Sequence, residues 1–194
     1  LFEPDKVNQN YYIMDDDEIM ASLSDKAKSS AKPKMTKEYK QLKEVYDSNA
    51  KENGLTMVTK SDYDQAKAMI DRLESCGLSD QYLSSGNYQV EFNEMLGPIR
   101  VKGFLDCLGD GYIVDSKSTK SVSKFRYSVR DFSYDIQAYI YTKVFGVNEF
   151  YWLVQEKTYP YLPALVECSE ETLFAGEMKF NDAIERIERF FREG

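Results

Sequence analysis

Asp106 and Asp115, with Lys117 two residues beyond the second, are the residues of this chain whose types and spacing point to chemistry. They lie in VKGFLDCLGDGYIVDSKSTKS, residues 101–121, which reads as two short strands folded about a tight turn. Asp110–Gly111 is a strong two-residue hairpin signal, and a turn centred there sets Asp106 opposite Asp115. Directly opposed side chains have Cβ atoms about 5 Å apart, where like charges repel. A cation reverses that sign. Lys117 shares a strand face with Asp115, while Ser116 between them points away. Two carboxylates and an ammonium then converge, provided the loop is symmetric about residues 110 and 111. Ligation by oxygen alone suits Mg²⁺ or Mn²⁺, and a water on such an ion beside a lysine is a hydrolytic nucleophile. The preceding strand offers Glu91 as a further acid, and the following helix carries Gln137 and Tyr141 on one face. The same spacing also fits a surface hairpin whose aspartates are solvated and paired with Lys117.

Composition narrows the chemistry further. The chain has no histidine, which removes Ser-His and Cys-His catalysis and the usual zinc ligands together. Cys76, Cys107 and Cys168 are far apart and odd in number, so neither a disulfide framework nor a metal-thiolate site is indicated; small buried apolar residues are expected. With 194 residues and 42% hydrophobic content, a single domain spanning 1–194 is expected. No apolar run is long enough to span a membrane and the start lacks a signal peptide, so the expectation is a cytoplasmic protein without membrane partners. The chain begins at Leu1, from which missing upstream sequence is expected.

A net charge of −8 argues against nucleic acid as a partner, but its distribution matters more than its sum. Seven lysines between Lys26 and Lys43 face a single acid, Glu38, and read as a solvated linker and helix face. From Lys117 to Arg130 there are five basic residues and no acid. That second cluster starts inside the aspartate hairpin, which favours a role facing phosphates for Lys120, Lys124 and Arg126.

The elements that must position these residues follow from periodicity. Residues 1–80 read as mainly helical: 22–34 as a polar loop, a helix from Thr36 to Gly54, and another capped by Ser61 with Asp64 whose Ala66, Met69, Ile70 and Leu73 form one face. From Asn87 the period becomes two, giving the strands NYQVEF, IRVKGFLDCL and GYIVDSK. SYDIQAYIYTKVFG reads as a helix with Ser133 as its cap and Gly146 as its stop. Two strands with a turn near Tyr159 and Pro160 come next, then a long amphipathic helix with Leu173, Phe180, Ile184, Ile187 and Phe191 in its stripe and Phe190 and Phe191 expected in the core. The acidic run at 14–18 reads as a solvated helix start. Helices, a mixed sheet, a helix, two strands and a helix make an α/β or α+β sandwich; the resemblance given next implies that residues 87–194 are its catalytic core.

GFLD, nine residues to VDSK, and then FSYDIQAYIY resembles the PD-(D/E)xK nuclease superfamily, in the RecB-like branch whose helix carries Gln-x-x-x-Tyr. LFEPDK, VEFNEMLGPIRVKGFLDCL and YDIQAYIY are similar to exonucleases of the exodeoxyribonuclease VIII type (RecE-type) and their phage relatives. The resemblance implies a restriction-endonuclease-like α/β core, with a central mixed sheet flanked by helices. It implies that Asp106, Asp115 and the Ser116 carbonyl bind Mg²⁺ or Mn²⁺ with help from Glu91. Lys117 would act on the attacking water and the phosphate, while Gln137 and Tyr141 position the scissile strand. The activity implied is a Mg²⁺-dependent exonuclease that degrades linear double-stranded DNA from its ends in phage-type recombination, as a ring-like homo-oligomer with a single-strand annealing partner. A structure-specific endonuclease and a decayed nucleic-acid-binding module are the alternatives. Two features depart from the family: its members commonly carry a histidine ligand in a helix just before the LFEP-like segment, where this sequence starts, and Phe104 stands where many members have arginine.

Overall fold

The computed structural model describes residues 7–193, so the LFEPDK segment lies outside the described residues. The chain forms two compact units, one ending at Ala68 and the other beginning at Met69.

The first unit runs through α1 (Val7–Asn10), β1 (Tyr11–Met14), α2 (Asp16–Ser22), α3 (Asp25–Lys28), a 3-10 turn (Pro33–Met35), α4 (Lys37–Glu52), β2 (Thr56–Thr59) and into α5 (Lys60–Ser75). β1 and β2 pair in parallel, a small sheet that the sequence reading did not anticipate because each strand has four residues. The expected loop over 22–34 is also corrected. Ser24 caps α3 through Ala27 N–H, Glu38 accepts both the N–H and the hydroxyl of Ser24 at 2.7 Å, and Leu23 and Ala27 are buried with Met14, Ile19 and Tyr39. Two apolar side chains and a cap outweigh the polar composition of the segment. The acidic run does start a helix, with Asp15 as its cap, but Asp16 is tied to Lys34 at 2.5 Å and to the Tyr39 hydroxyl rather than simply solvated. α5 is capped two residues earlier than expected, by Thr59, whose hydroxyl accepts from Asp62 N–H and donates to its carboxylate. Along it Leu73 is buried and Ala66 is exposed.

The second unit continues with α6 (Leu78–Tyr82), β3 (Asn87–Leu96), β4 (Ile99–Leu108), β5 (Tyr112–Thr119), a 3-10 turn (Val122–Lys124), α7 (Phe125–Asp131), α8 (Tyr134–Phe145), β6 (Glu149–Glu156), β7 (Pro163–Glu167) and α9 (Glu170–Glu193). Among the described residues the strands form one sheet in the order β3-β4-β5-β6-β7, in which β5 and β6 are parallel and the other pairs antiparallel. Parallel neighbours need a long crossover, here supplied by α7 and α8. The architecture is the expected mixed sheet flanked by helices. α7 and α8 cover one face, where Phe125 and Ala138 pack with Ile113, Phe150, Trp152 and Val154 of the sheet. On the other side, Tyr82 of α6 makes ring contacts with Tyr112 and Tyr151, and Gln155 donates to the Met69 carbonyl at 2.7 Å.

α9 packs closely on α8 because Gly176 has no side chain there. A Cβ at Gly176 would lie 2.1 Å from the Asp135 carbonyl oxygen. Lys179 then reaches the buried Asp135 carboxylate at 2.5 Å. The expectation that Phe190 and Phe191 are core residues is overturned, since they are 74% and 79% exposed. α9 has 24 residues against 12 in α8, so its last turns outrun the helix it packs on. Cys107 and Cys168 are buried as expected, whereas Cys76, after the end of α5, is exposed. α7 was not anticipated, and the Ser133 hydroxyl makes no capping bond; instead the Asp135 carboxylate accepts from Ile136 N–H. Among the described residues no helix is long and apolar enough to cross a membrane.

Candidate active site

The hairpin that carries the two aspartates has the expected turn. Gly109 N–H donates to the Tyr112 carbonyl at 2.9 Å, and Gly111 takes φ 85°, a left-handed value that glycine adopts without a steric penalty. Cys107 pairs with Val114 and Leu108 with Ile113, the register that sets Asp106 opposite Asp115. There the ladder stops, and β4 parts from β5. The Asp106 carboxylate takes over: its Oδ2 accepts the Ser116 backbone N–H at 2.8 Å. On its other side Oδ1 receives Gln89 Nε2 at 3.3 Å.

Gln89 is the neighbour of Asp106 on β3. The pairs Tyr88–Cys107 and Val90–Leu105 flank that position, and Gln89 takes φ 49°, which interrupts the ladder just where Asp106 sits. Sequence reasoning missed this residue, although its register was available from the strand pairing. Glu91 is exposed and paired with Phe104. Among the described residues Glu91 has no hydrogen bond to either aspartate, so Gln89, not Glu91, meets Asp106 from β3.

Asp115 lies deeper, at 3% exposure on the strand that pairs with both β4 and β6. Lys117 forms an ion pair with its Oδ2, an atom with no other partner, and Gln137 Nε2 donates to Oδ1 at 3.0 Å. Gln137 is itself 3.2 Å from the Tyr141 hydroxyl, which donates to the Phe104 carbonyl at 3.1 Å. The i, i+4 pair therefore links the buried carboxylate to β4. Lys117 Nζ also lies 4.6 Å from the centre of the Tyr134 ring. Tyr134, Gln137 and Tyr141 recur at helical spacing on one face of α8, a signal that could have added Tyr134 to the expected set.

Burial pushes the Asp115 carboxyl above its ordinary pKa, against the opposing charge of Lys117; the nearby Asp106 charge adds to the rise and the Gln137 hydrogen bond works against it. A second cation beside these carboxylates would relieve both burial and repulsion. The donor set is hard oxygen throughout. Among the described residues no cluster of three or more His, Cys, Asp and Glu side chains could hold a metal, and the carboxylates at this point are those of Asp106 and Asp115. That count fits Mg²⁺, which binds through one or two carboxylates and keeps water or substrate oxygens for the rest. Asp106 and Asp115 would hold such an ion; the Ser116 peptide is bonded to Asp106 through its N–H.

The basic residues are placed outside this group. Lys120 follows β5, Lys124 lies in the 3-10 turn and Arg126 on α7, all exposed. The Arg126 guanidinium lies 4.8 Å from the Tyr127 ring centre and donates to its hydroxyl at 2.9 Å.

Residues 1–193 match the family described as a PDDEXK-like domain of unknown function (DUF3799). The chain belongs to that family. Among solved structures, this PDDEXK-like chain is similar to a candidate exonuclease from Eubacterium rectale, with a TM-score of 0.60 and 22% sequence identity. The match covers 75% of this chain and 60% of that one, so the fold is shared and the relative extends beyond it. No curated protein is significantly similar.

Proposed function

We propose that this PDDEXK-like chain is a metal-dependent deoxyribonuclease, using Mg²⁺, that degrades linear duplex DNA from an end. The observation that carries this is the convergence of Asp106, Asp115 and Lys117 where β4 parts from β5, with Gln137 holding the buried carboxylate. When bound, a divalent ion there would polarise the scissile phosphate and acidify a water for attack. Asp115 is oriented by Gln137, which Tyr141 holds in turn. Asp106 is oriented by the Ser116 N–H. Lys117 brings its ammonium to the point where charge builds on the phosphate, a stabilisation that is strongest where water is scarce. The E. rectale protein is described as a candidate exonuclease and shares the fold, which supports the same class of activity here.

The test is digestion of end-labelled linear duplex with and without Mg²⁺, beside closed circular duplex and an Asp106→Asn variant. Loss of linear DNA alone, dependent on Mg²⁺ and abolished by the substitution, is the expected result. Cutting of the circle would make the chain an endonuclease, and no cutting of either form under any divalent ion would overturn the assignment.

A further inference from the structure

Phe132 is the exposed aromatic side chain nearest in sequence to the helix that carries Gln137 and Tyr141. It occupies the two-residue link between α7 and α8, and 67% of it is exposed. That link is well tied. Phe132 N–H donates to the Ser128 carbonyl at 2.9 Å and Ser133 N–H to the Arg130 carbonyl at 3.3 Å, while Ser133 takes a left-handed φ of 55°. A residue other than glycine keeps that conformation where its surroundings hold it.

The Phe132 ring lies against Tyr134, with centroids 5.6 Å apart and planes 32° apart. Tyr134 in turn rests on buried Phe125 at 6.0 Å and carries the Lys117 ammonium over its face. Two rings therefore connect the cation bonded to Asp115 with an aromatic surface open to water. The segment leading to them is basic: Lys117 to Arg130 holds five basic residues and no acid, and Arg126 and Arg130 lie over the Tyr127 ring. Asp131, directly before Phe132, is ion-paired with Arg130 at 2.9 Å, which leaves Lys117, Lys120, Lys124 and Arg126 as the cations for phosphates. Cations that follow a backbone, with aromatic faces between them, form the pattern that binds single strands. A duplex keeps its base faces covered by their neighbours, so only an unpaired or frayed base can use such a ring.

We infer that Phe132 is a stacking platform for an unpaired nucleobase of the strand whose phosphate lies at Lys117, an inference that rests on the nuclease assignment above. The substrate is then engaged as a single-stranded or frayed DNA end.

The test is fluorescence anisotropy of the full chain with a labelled oligothymidylate of about 12 nucleotides, within the span such sites cover, in chelator so that no cleavage occurs. Phe132→Ala is expected to weaken binding about tenfold, the usual scale of one lost base–aromatic stack, whereas Phe132→Trp keeps wild-type affinity. A single abasic position in the oligonucleotide should reproduce the loss on the wild type and add nothing to Phe132→Ala. Matching thermal melts establish that both variants are folded, as an exposed ring allows. Unchanged affinity of Phe132→Ala, or an abasic penalty that persists in it, overturns the platform. If the wild type digests DNA and binds the oligonucleotide while Phe132→Ala binds equally well, the platform alone falls. If binding depends on Phe132 but no divalent ion supports cleavage, the nuclease assignment alone falls. If the wild type binds no oligonucleotide, both fall.

Discussion

The carboxylate of Asp106 takes the Ser116 N–H that a strand carbonyl would otherwise accept, at 2.8 Å, just beyond the last pair of the β4–β5 ladder. The carboxylate proposed above as a cation ligand thus also completes the hydrogen bonding of the sheet. The two roles separate by substitution. Asparagine keeps an acceptor for Ser116 and loses the charge, whereas alanine loses both. Asp106→Asn should melt within a few degrees of the wild type; on the proposed function, Mg²⁺ is expected to raise the Tm of the wild type and not that of Asp106→Asn. Asp106→Ala should in addition lose about 1 kcal/mol through the unpaired N–H, a few degrees for a chain of this size. Thermal melts with and without Mg²⁺ check both.

Gly176 permits the contact between α8 and α9. A Cβ there would meet the Asp135 carbonyl oxygen at 2.1 Å and Tyr139 Cβ at 3.1 Å, and the backbone oxygen cannot swing aside as a side chain can. Gly176→Ala should destabilise by about 1–3 kcal/mol, the usual range for overpacking, despite alanine's better helix propensity. Denaturant unfolding measures this, and an unchanged midpoint would contradict the packing described.

The cysteines should divide by exposure. Burial pushes the Cys107 thiol up to about 11 and the Cys168 thiol up to about 12, so neither supplies thiolate near neutrality, while Cys76 is exposed. Titration with a disulfide reagent at pH 8 should modify Cys76 alone in the folded chain and all three cysteines in denaturant.

Asp16 gives the first unit a dependence on acid. The hydrogen bond from Lys34, followed by that from Tyr39, holds its carboxyl below the ordinary value of 3.8. A lowered folded pKa contributes stability that is present above the unfolded value and lost as pH falls through the folded one. Asp16→Asn should therefore be less stable than the wild type at neutral pH, with the gap closing below 3.8. Melts of both proteins from pH 7 down to pH 2 test the sign.

Much of the second unit was legible because its signals are local. The Asp110–Gly111 turn specified the hairpin register, and the i, i+4 spacing put Gln137 and Tyr141 on one helix face, although their expected role was to position the scissile strand and the bond from Gln137 to Asp115 was not foreseen. What escaped depends on longer-range geometry. Gln89 matters because β3 breaks its ladder opposite Asp106, and no local pattern marks a left-handed glutamine. Phe190 and Phe191 continue an apolar stripe, but the stripe does not record that α8 ends before them. In the first unit, β1 and β2 are too short for alternation to show, and α3 is held by Glu38, which is distant in sequence.

β5 is joined to β6 along all of its length, from Tyr112 opposite Glu149 to Thr119 opposite Glu156, but to β4 only at the turn end. The sheet therefore has a seam, and the two aspartates stand on opposite lips of it. Any force that opens the molecule along this line moves Asp106 away from Asp115 while leaving Asp115, Lys117 and Gln137 together. A divalent ion shared by the two carboxylates would act as a stitch across the seam, so that loading the site and closing the sheet would be one event.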